Sequence, residues 1–322
     1  MRIAAIQLEA VLGDVEANLA ECERLAGEAA EAGAEWIVLP EFFPTGVGFL
    51  PELADAALAP DGPATQLLED LARRHGVATG GSFICRDPDG HARNAWIQAT
   101  PEGIAGRHDK DIPTMWENCF YVGGDDDGVL EVGGLPVGVA MCWELMRTQT
   151  PRRLRGRVDL LVGGSCWWSY PDLPPRAVMR RREVVNARLS QAVVPALART
   201  VGAPFAHAAH SGRIECGMPW SPLPFRGRGE GGAIVCDAEG RILAHRGPAE
   251  GPGIAIADVE PGRVPPADEV PDRFWLHRRD PLAAFVWAYQ KAHGRRWYRR
   301  HAFGRPPLGA EQPAPRGTTV PA

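Results

Sequence analysis

Short apolar runs alternate with helix-periodic stretches along this chain, and that alternation confines it to folds in which sheet is covered by helices. Residues 2–7, 36–39, 135–142 and 159–164 are dominated by apolar side chains and are too short for buried helices. They read as strands buried on both faces. Between the first two, Asp14 is a good N-cap for a helix whose Val15, Leu19, Cys22, Leu25 and Ala29 recur at helical spacing, with Gly33 as its stop. A second helix spans 64–75 and ends at Gly76, a short helical stretch lies at 151–154, and longer helices are predicted over 175–190 and 281–293. Hairpins join 77–85 to 94–99 through Asp87-Pro88-Asp89-Gly90, and 232–236 to 241–245, with 204–209 a further strand. Both helices and hairpins contribute, so the expected class is α/β, one sheet or two with helices on the outer faces.

Composition narrows the function more than the fold. With 322 residues the length admits one domain or two, and 45% hydrophobic with 23% charged residues is ordinary for a globular protein. A net charge of -5 offers nucleic acid no general attraction. The basic clusters at Arg152, Arg153 and Arg155, at Arg180 to Arg182, and at Arg295, Arg296, Arg299 and Arg300 read first as solvated helix faces. The first strand begins at once, without the pattern of a secretory signal, and no long apolar span follows, so a soluble cytoplasmic protein without a membrane partner is expected. Seven cysteines form no disulfide framework and are expected to stay thiols. His207, His210 and Cys216 fit no usual zinc spacing, and neither metal nor cofactor is expected. Residues 221–232 read as loop.

Three strand ends carry reactive side chains. A buried strand delivers a side chain rigidly to its C-terminal edge, where a pocket can form. Cys142 ends the run 135–142 and is followed by Trp143-Glu144; alone it would read as a small buried hydrophobe. Glu41 follows the strand 36–39, and Lys110 lies beyond the strand at 94–100. A free thiol is only a few per cent ionised at neutral pH, so Cys142 needs help. Glu41 can accept its proton, and the charge of Lys110 favours both the thiolate and an oxyanion on the attacked substrate.

In order, spacing and local sequence, Glu41, Lys110 and Cys142 resemble the catalytic glutamate, lysine and cysteine of the nitrilase superfamily of carbon–nitrogen hydrolases. The resemblance runs from the first strand and fades after about Pro204. It implies a four-layer α-β-β-α sandwich, a single hydrolase domain over 1–304, and a homodimer or higher homo-oligomer. The remaining tail, 305–322, is rich in Pro, Gly and Thr and is expected to be disordered. The stretch His108-Asp109-Lys110-Asp111-Ile112-Pro113-Thr114-Met115-Trp116-Glu117 is similar to the nitrilase branch, where a second glutamate, here Glu117, supports the lysine. Asn118 replaces the arginine usual in that branch, the tryptophan-glycine pair beyond it is missing, and Leu145-Met146-Arg147 stands where nitrilases carry an asparagine-led segment. The substrate is therefore left open between amide and nitrile. Trp116, Trp143, Glu144, Trp167 and Trp168 are the candidate pocket residues, favouring a flat, apolar or aromatic small molecule.

The leading expectation is a thiol-dependent hydrolase releasing the acid and ammonia through a thioester or thioimidate. An N-carbamoyl or substituted-amide amidohydrolase with the same triad is an alternative. So is a cysteine peptidase using His207 or His210 as base, or a non-catalytic binding or scaffold member of the same fold.

Overall fold

The computed structural model describes residues 1–219 and 221–310. Its elements in chain order are β1 (Arg2–Leu8), α1 (Val15–Glu31), β2 (Trp36–Val38), α2 (Pro63–His75), β3 (Ala78–Arg86), β4 (Ala92–Thr100), β5 (Gly103–Asp109), β6 (Val129–Val132) and β7 (Leu135–Val139). There follow α3 (Gln149–Leu154), β8 (Leu160–Ser165), α4 (Arg176–Val201), β9 (Phe205–His210), β10 (Arg213–Met218), β11 (Ser221–Arg228), β12 (Ala233–Cys236), β13 (Ile242–Arg246), β14 (Gly253–Asp258) and α5 (Pro281–His301). Short 3-10 turns connect several of them, two of which carry site residues.

Twelve strands form one hydrogen-bonded sheet that forks at β1. From Arg2 to Gln7 β1 pairs with β14, and at its end Gln7 and Leu8 pair with Ala209 and His210 of β9, Gln7 belonging to both ladders. The fork yields two half-sheets, β5-β4-β3-β2-β1-β14 and β6-β7-β8-β9-β12-β13. Alternation along the strands shows how they stack. On β1, Ala4, Ile6 and Leu8 pack with Cys22, Leu25 and Leu68 of α1 and α2, while Ile3 and Ala5 face the opposite way. There they meet Val137, Val139, Leu160, Val162 and Ala206 of the second half-sheet. That half-sheet turns Leu161, Phe205 and Ile234 outward onto Val193, Leu197 and Val201 of α4. Three apolar seams between helix, sheet, sheet and helix make the four-layer sandwich.

Several elements differ from the sequence reading. Strands β5 and β6 were not anticipated; Gly103, Gly106 and the charged run 107–110 hide the periodicity of β5. Residues 221–228 form a ribbon with β10 rather than a loop, and its prolines are tolerated because a two-stranded ribbon has a free edge. Helix α4 continues past Ser190 to Val201, because Val193, Val194, Leu197 and Ala198 bury against the sheet. Helix α5 continues past His293, held by Tyr298, whose hydroxyl accepts from the Ala92 amide at 2.9 Å. The expected tail begins tied down, since the Leu308 amide donates to the Ala57 carbonyl at 2.7 Å. The remainder of that segment, 311–322, lies outside the described residues.

Candidate active site

Strands β2, β7 and β8 end at the same edge, and their continuations bring Glu41, Cys142 and Cys166 together there. One local geometry recurs twice. Met115-Trp116-Glu117 and Cys142-Trp143-Glu144 each open a 3-10 turn. In both, the first residue is held at positive φ, 50° for Met115 and 48° for Cys142. In both, the glutamate reaches back to the backbone N–H before the turn, Thr114 to Glu117 Oε2 at 2.8 Å and Met141 to Glu144 Oε2 at 2.9 Å. Phe42, directly after Glu41, has φ 56°. Non-glycine residues rarely occupy this region, and strain of this kind is characteristic of functional sites.

The side chains converge on one buried cation. Lys110 Nζ donates to Glu41 Oε1 at 2.6 Å and to Glu117 Oε2 at 2.8 Å, and all three residues are fully buried. Ligand atoms of Glu41, Glu117 and Cys142 lie within 4.8 Å of one another. Two carboxylates and a thiol at that spacing could suit a metal, but the Lys110 ammonium already supplies the positive charge between the carboxylates. Glu41 is fixed further by Asn94 Nδ2 on Oε1 at 2.9 Å, by the Cys166 amide on Oε2 at 3.0 Å, and by His210 Nε2 on its carbonyl at 2.7 Å. Glu117 Oε2 also accepts from the Tyr121 hydroxyl.

Burial opposes the Lys110 charge, but Glu117 and Glu41 outweigh it and hold the pKa well above the ordinary lysine value. One ammonium facing two carboxylates cannot neutralise both. Burial, reinforced by Glu41, accordingly lifts Glu117 to about 7 against the pull of Lys110. Burial and Glu41 push the Cys142 thiol well above its usual range, against Lys110. These surroundings favour the protonated thiol of Cys142 over a thiolate.

All four candidate tryptophans, Trp116, Trp143, Trp167 and Trp168, line one cavity of about 270 Å³, with Phe225 and residues of α5 completing the wall. A larger recess of about 800 Å³ lies against His91, Tyr298 and Phe303 and reaches Tyr121. Cys142, Glu41 and Lys110 are on the wall of neither, but Trp143 and Trp116, the chain neighbours of Cys142 and Glu117, line the smaller cavity. Glu144, expected on the pocket wall, turns into the protein instead. Its carboxylate accepts from Arg153 Nη2 at 2.9 Å and the Asp111 amide at 3.2 Å, and lies 3.3 Å from His108 Nε2. Those cations, led by Arg153, outweigh burial and hold it well below the usual carboxylate range. His207 and His210 are engaged elsewhere, on Ser165 Oγ and the Glu41 carbonyl, and burial lowers them to about 3 and about 4. Neither is placed as a base for Cys142. Asn94, Tyr121 and the Cys166 amide were missed by sequence reasoning. Asn94 left a trace as a polar residue inside an apolar strand, whereas Tyr121 and a backbone amide leave none.

The sequence profile of the carbon–nitrogen hydrolase family matches residues 2–268, so the chain belongs to that family. Among curated relatives, a nitrilase from Pyrococcus abyssi is 30% identical over 159 residues, covering 48% of this chain and 60% of that protein. An aliphatic nitrilase from Sinorhizobium fredii is 33% identical, over 46% of this chain and 55% of its own length. The chain thus spans little more than half the length of these relatives. An omega-amidase from Danio rerio is 26% identical over 76% of this chain and 90% of its own. Among solved structures, the amidase from Nesterenkonia sp. AN1 superposes with TM-score 0.61 at 22% identity, over 85% of this chain and 96% of its own. A carbon–nitrogen hydrolase from Helicobacter pylori G27 gives TM-score 0.68 at 17% identity, over 81% and 89%. At such identities the structural likeness speaks to the fold: a nitrilase-like α/β sandwich.

Proposed function

We propose that the protein hydrolyses the carbon–nitrogen bond of a small, predominantly apolar or aromatic amide or nitrile, with Cys142 as nucleophile. The observation that carries this reading is the Lys110 ammonium clamped between Glu41 and Glu117, with Cys142 Sγ beside them. With an amide, Glu41 takes the thiol proton as Sγ attacks the carbonyl carbon, and Lys110 faces the developing oxyanion. The tetrahedral intermediate collapses as Glu41 returns the proton to the leaving nitrogen, giving a thioester and ammonia or an amine. Glu41 then deprotonates water, which attacks the thioester; the acid leaves and the proton returns to Cys142. With a nitrile, attack gives a thioimidate whose nitrogen is protonated before water adds and ammonia departs, and a second water hydrolyses the thioester that remains, as in the amide route. Glu117 holds Lys110 in place in both routes.

The pocket supports the substrate class. Its volume lies just under the roughly 300–1,000 Å³ typical of drug-sized ligand sites, and its aromatic walls suit a flat ring. Ammonia release from paired aromatic and aliphatic series of amides and nitriles tests this. Higher kcat/KM for the aromatic members is expected, and a clear aliphatic preference would remove the aromatic reading while leaving the thiol chemistry intact.

A further inference from the structure

The family profile ends at residue 268, yet a wall of the tryptophan-lined cavity comes from α5, which begins at Pro281. Helix α5 is seated closely there. Trp287 stacks on Trp143, which follows the nucleophile, with ring centroids 5.2 Å apart and planes 7° from parallel. A Cβ at Gly294 would lie 2.5 Å from Asn118 Cβ, so only glycine lets α5 approach the turn that carries Glu117. From this helix Leu282, Ala283, Val286 and Gln290 face the cavity.

Gln290 is the exception among those four. Its side chain is more than nine-tenths buried, and its Oε1 meets no hydrogen-bond partner among the described residues. Across the same cavity the Trp116 indole Nε1 is likewise buried and unpartnered among them. The other carboxamide of the cavity, Asn186, is fully engaged: it accepts from Trp167 Nε1 at 3.1 Å and donates to the Trp168 carbonyl at 2.9 Å. A buried carboxamide left unmatched in an apolar wall is costly to keep, and a ligand that matches it regains that cost. Sites of this kind reject analogues lacking the matching group far more strongly than apolar pockets reject a misplaced methyl.

We propose that Gln290 on α5 is a polar subsite for a second hydrogen-bonding group of the substrate, a hydroxyl or amino substituent carried on its apolar ring, remote from the bond that is cleaved. The proposal rests on the aromatic amide or nitrile reading above. It makes α5, beyond the family profile, the element that sets this chain's substrate range.

The test compares kcat/KM for benzamide and benzonitrile with that for their hydroxy-, amino- and methyl-substituted forms at each ring position, using wild type, Gln290→Leu and Gln290→Met. Methyl is the apolar isostere. For at least one position, wild type is expected to favour hydroxyl or amino over methyl on the order of ten- to a hundredfold. That ratio should fall to within a few-fold of one in both variants. Reading a ratio cancels any general loss of turnover, and thermal melts report folding. A preference unchanged in a folded variant overturns the proposal. So does a wild-type ratio near one at every position, which decides the matter even if both variants fail to fold. Activity confined to aliphatic substrates would instead sink the aromatic reading, and the subsite with it; activity on benzamide with flat ratios would sink the subsite alone.

Discussion

Cys142 owes its reactivity in this account to position rather than to a depressed pKa. Burial and the nearby carboxylates oppose a resting thiolate, so in the proposed mechanism the proton passes to Glu41 as the sulfur attacks. The positive φ at Cys142 costs on the order of 1–3 kcal/mol and persists because Glu144 ties the turn back to the Met141 amide. Lys110 is the residue on which the arrangement most depends. Lys110→Ala should lower kcat by about a hundred- to a thousandfold, the usual loss for one preorganised oxyanion donor. It also leaves Glu41 and Glu117 buried without their cation, which should cost about 3–5 kcal/mol of stability. Steady-state kinetics and urea denaturation read the two effects separately; near-normal turnover would contradict the role assigned to Lys110.

At the level of elements, the end of β8 supports Glu41, the proposed base. A Cβ at Gly164 would lie 2.7 Å from Pro40 Cα and 2.8 Å from the Glu41 nitrogen, so β8 presses directly against the backbone of that residue. Gly164→Ala should displace Glu41 by a fraction of an ångström to an ångström and lower kcat by about ten- to a hundredfold. Unchanged kcat in the folded variant would show that Glu41 tolerates the shift. The strands that deliver the site were legible because runs such as 36–39 and 135–142 are apolar and carry a reactive side chain at their end or just past it, Glu41 and Cys142. The other site features were legible unevenly. Met115-Trp116-Glu117 repeats the pattern of Cys142-Trp143-Glu144, but nothing in either tripeptide reveals a positive φ at its first residue. Glu144 looked like a pocket residue because it follows Trp143; its burial depends on Arg153 and His108, which approach from α3 and β5. Gln290 sits in a helix that periodicity revealed, but the cavity it faces exists only once α5 packs on Trp143.

Across the whole molecule, a charged network behind the site ties β5, α3, the turn after Cys142 and the segment before β6 into one unit. His108 is fully buried at its centre, with Nδ1 on Asp126 and Nε2 beside Glu144. Burial disfavours its charge, but Glu144 and Asp126 outweigh that and raise its pKa from 6.5 to about 9. A raised histidine pKa means the folded state holds the proton more tightly than the unfolded chain. Its stabilisation is therefore fully present below about 6.5 and lost as pH rises through about 9. The wild-type melting midpoint should fall across that interval more steeply than that of His108→Gln, and equal slopes would show that the network does not hold the proton. The packing seams of the sandwich frame this unit, so the chemistry at Cys142 is the property that the whole arrangement is proposed to support. Intact-protein mass spectrometry during turnover of amide and nitrile pools, with ammonia release followed in parallel, tests that most directly. A transient acyl or thioimidate adduct that maps to Cys142 is expected, with adduct and ammonia both lost in Cys142→Ala; ammonia release persisting in Cys142→Ala would refute Cys142 as the nucleophile.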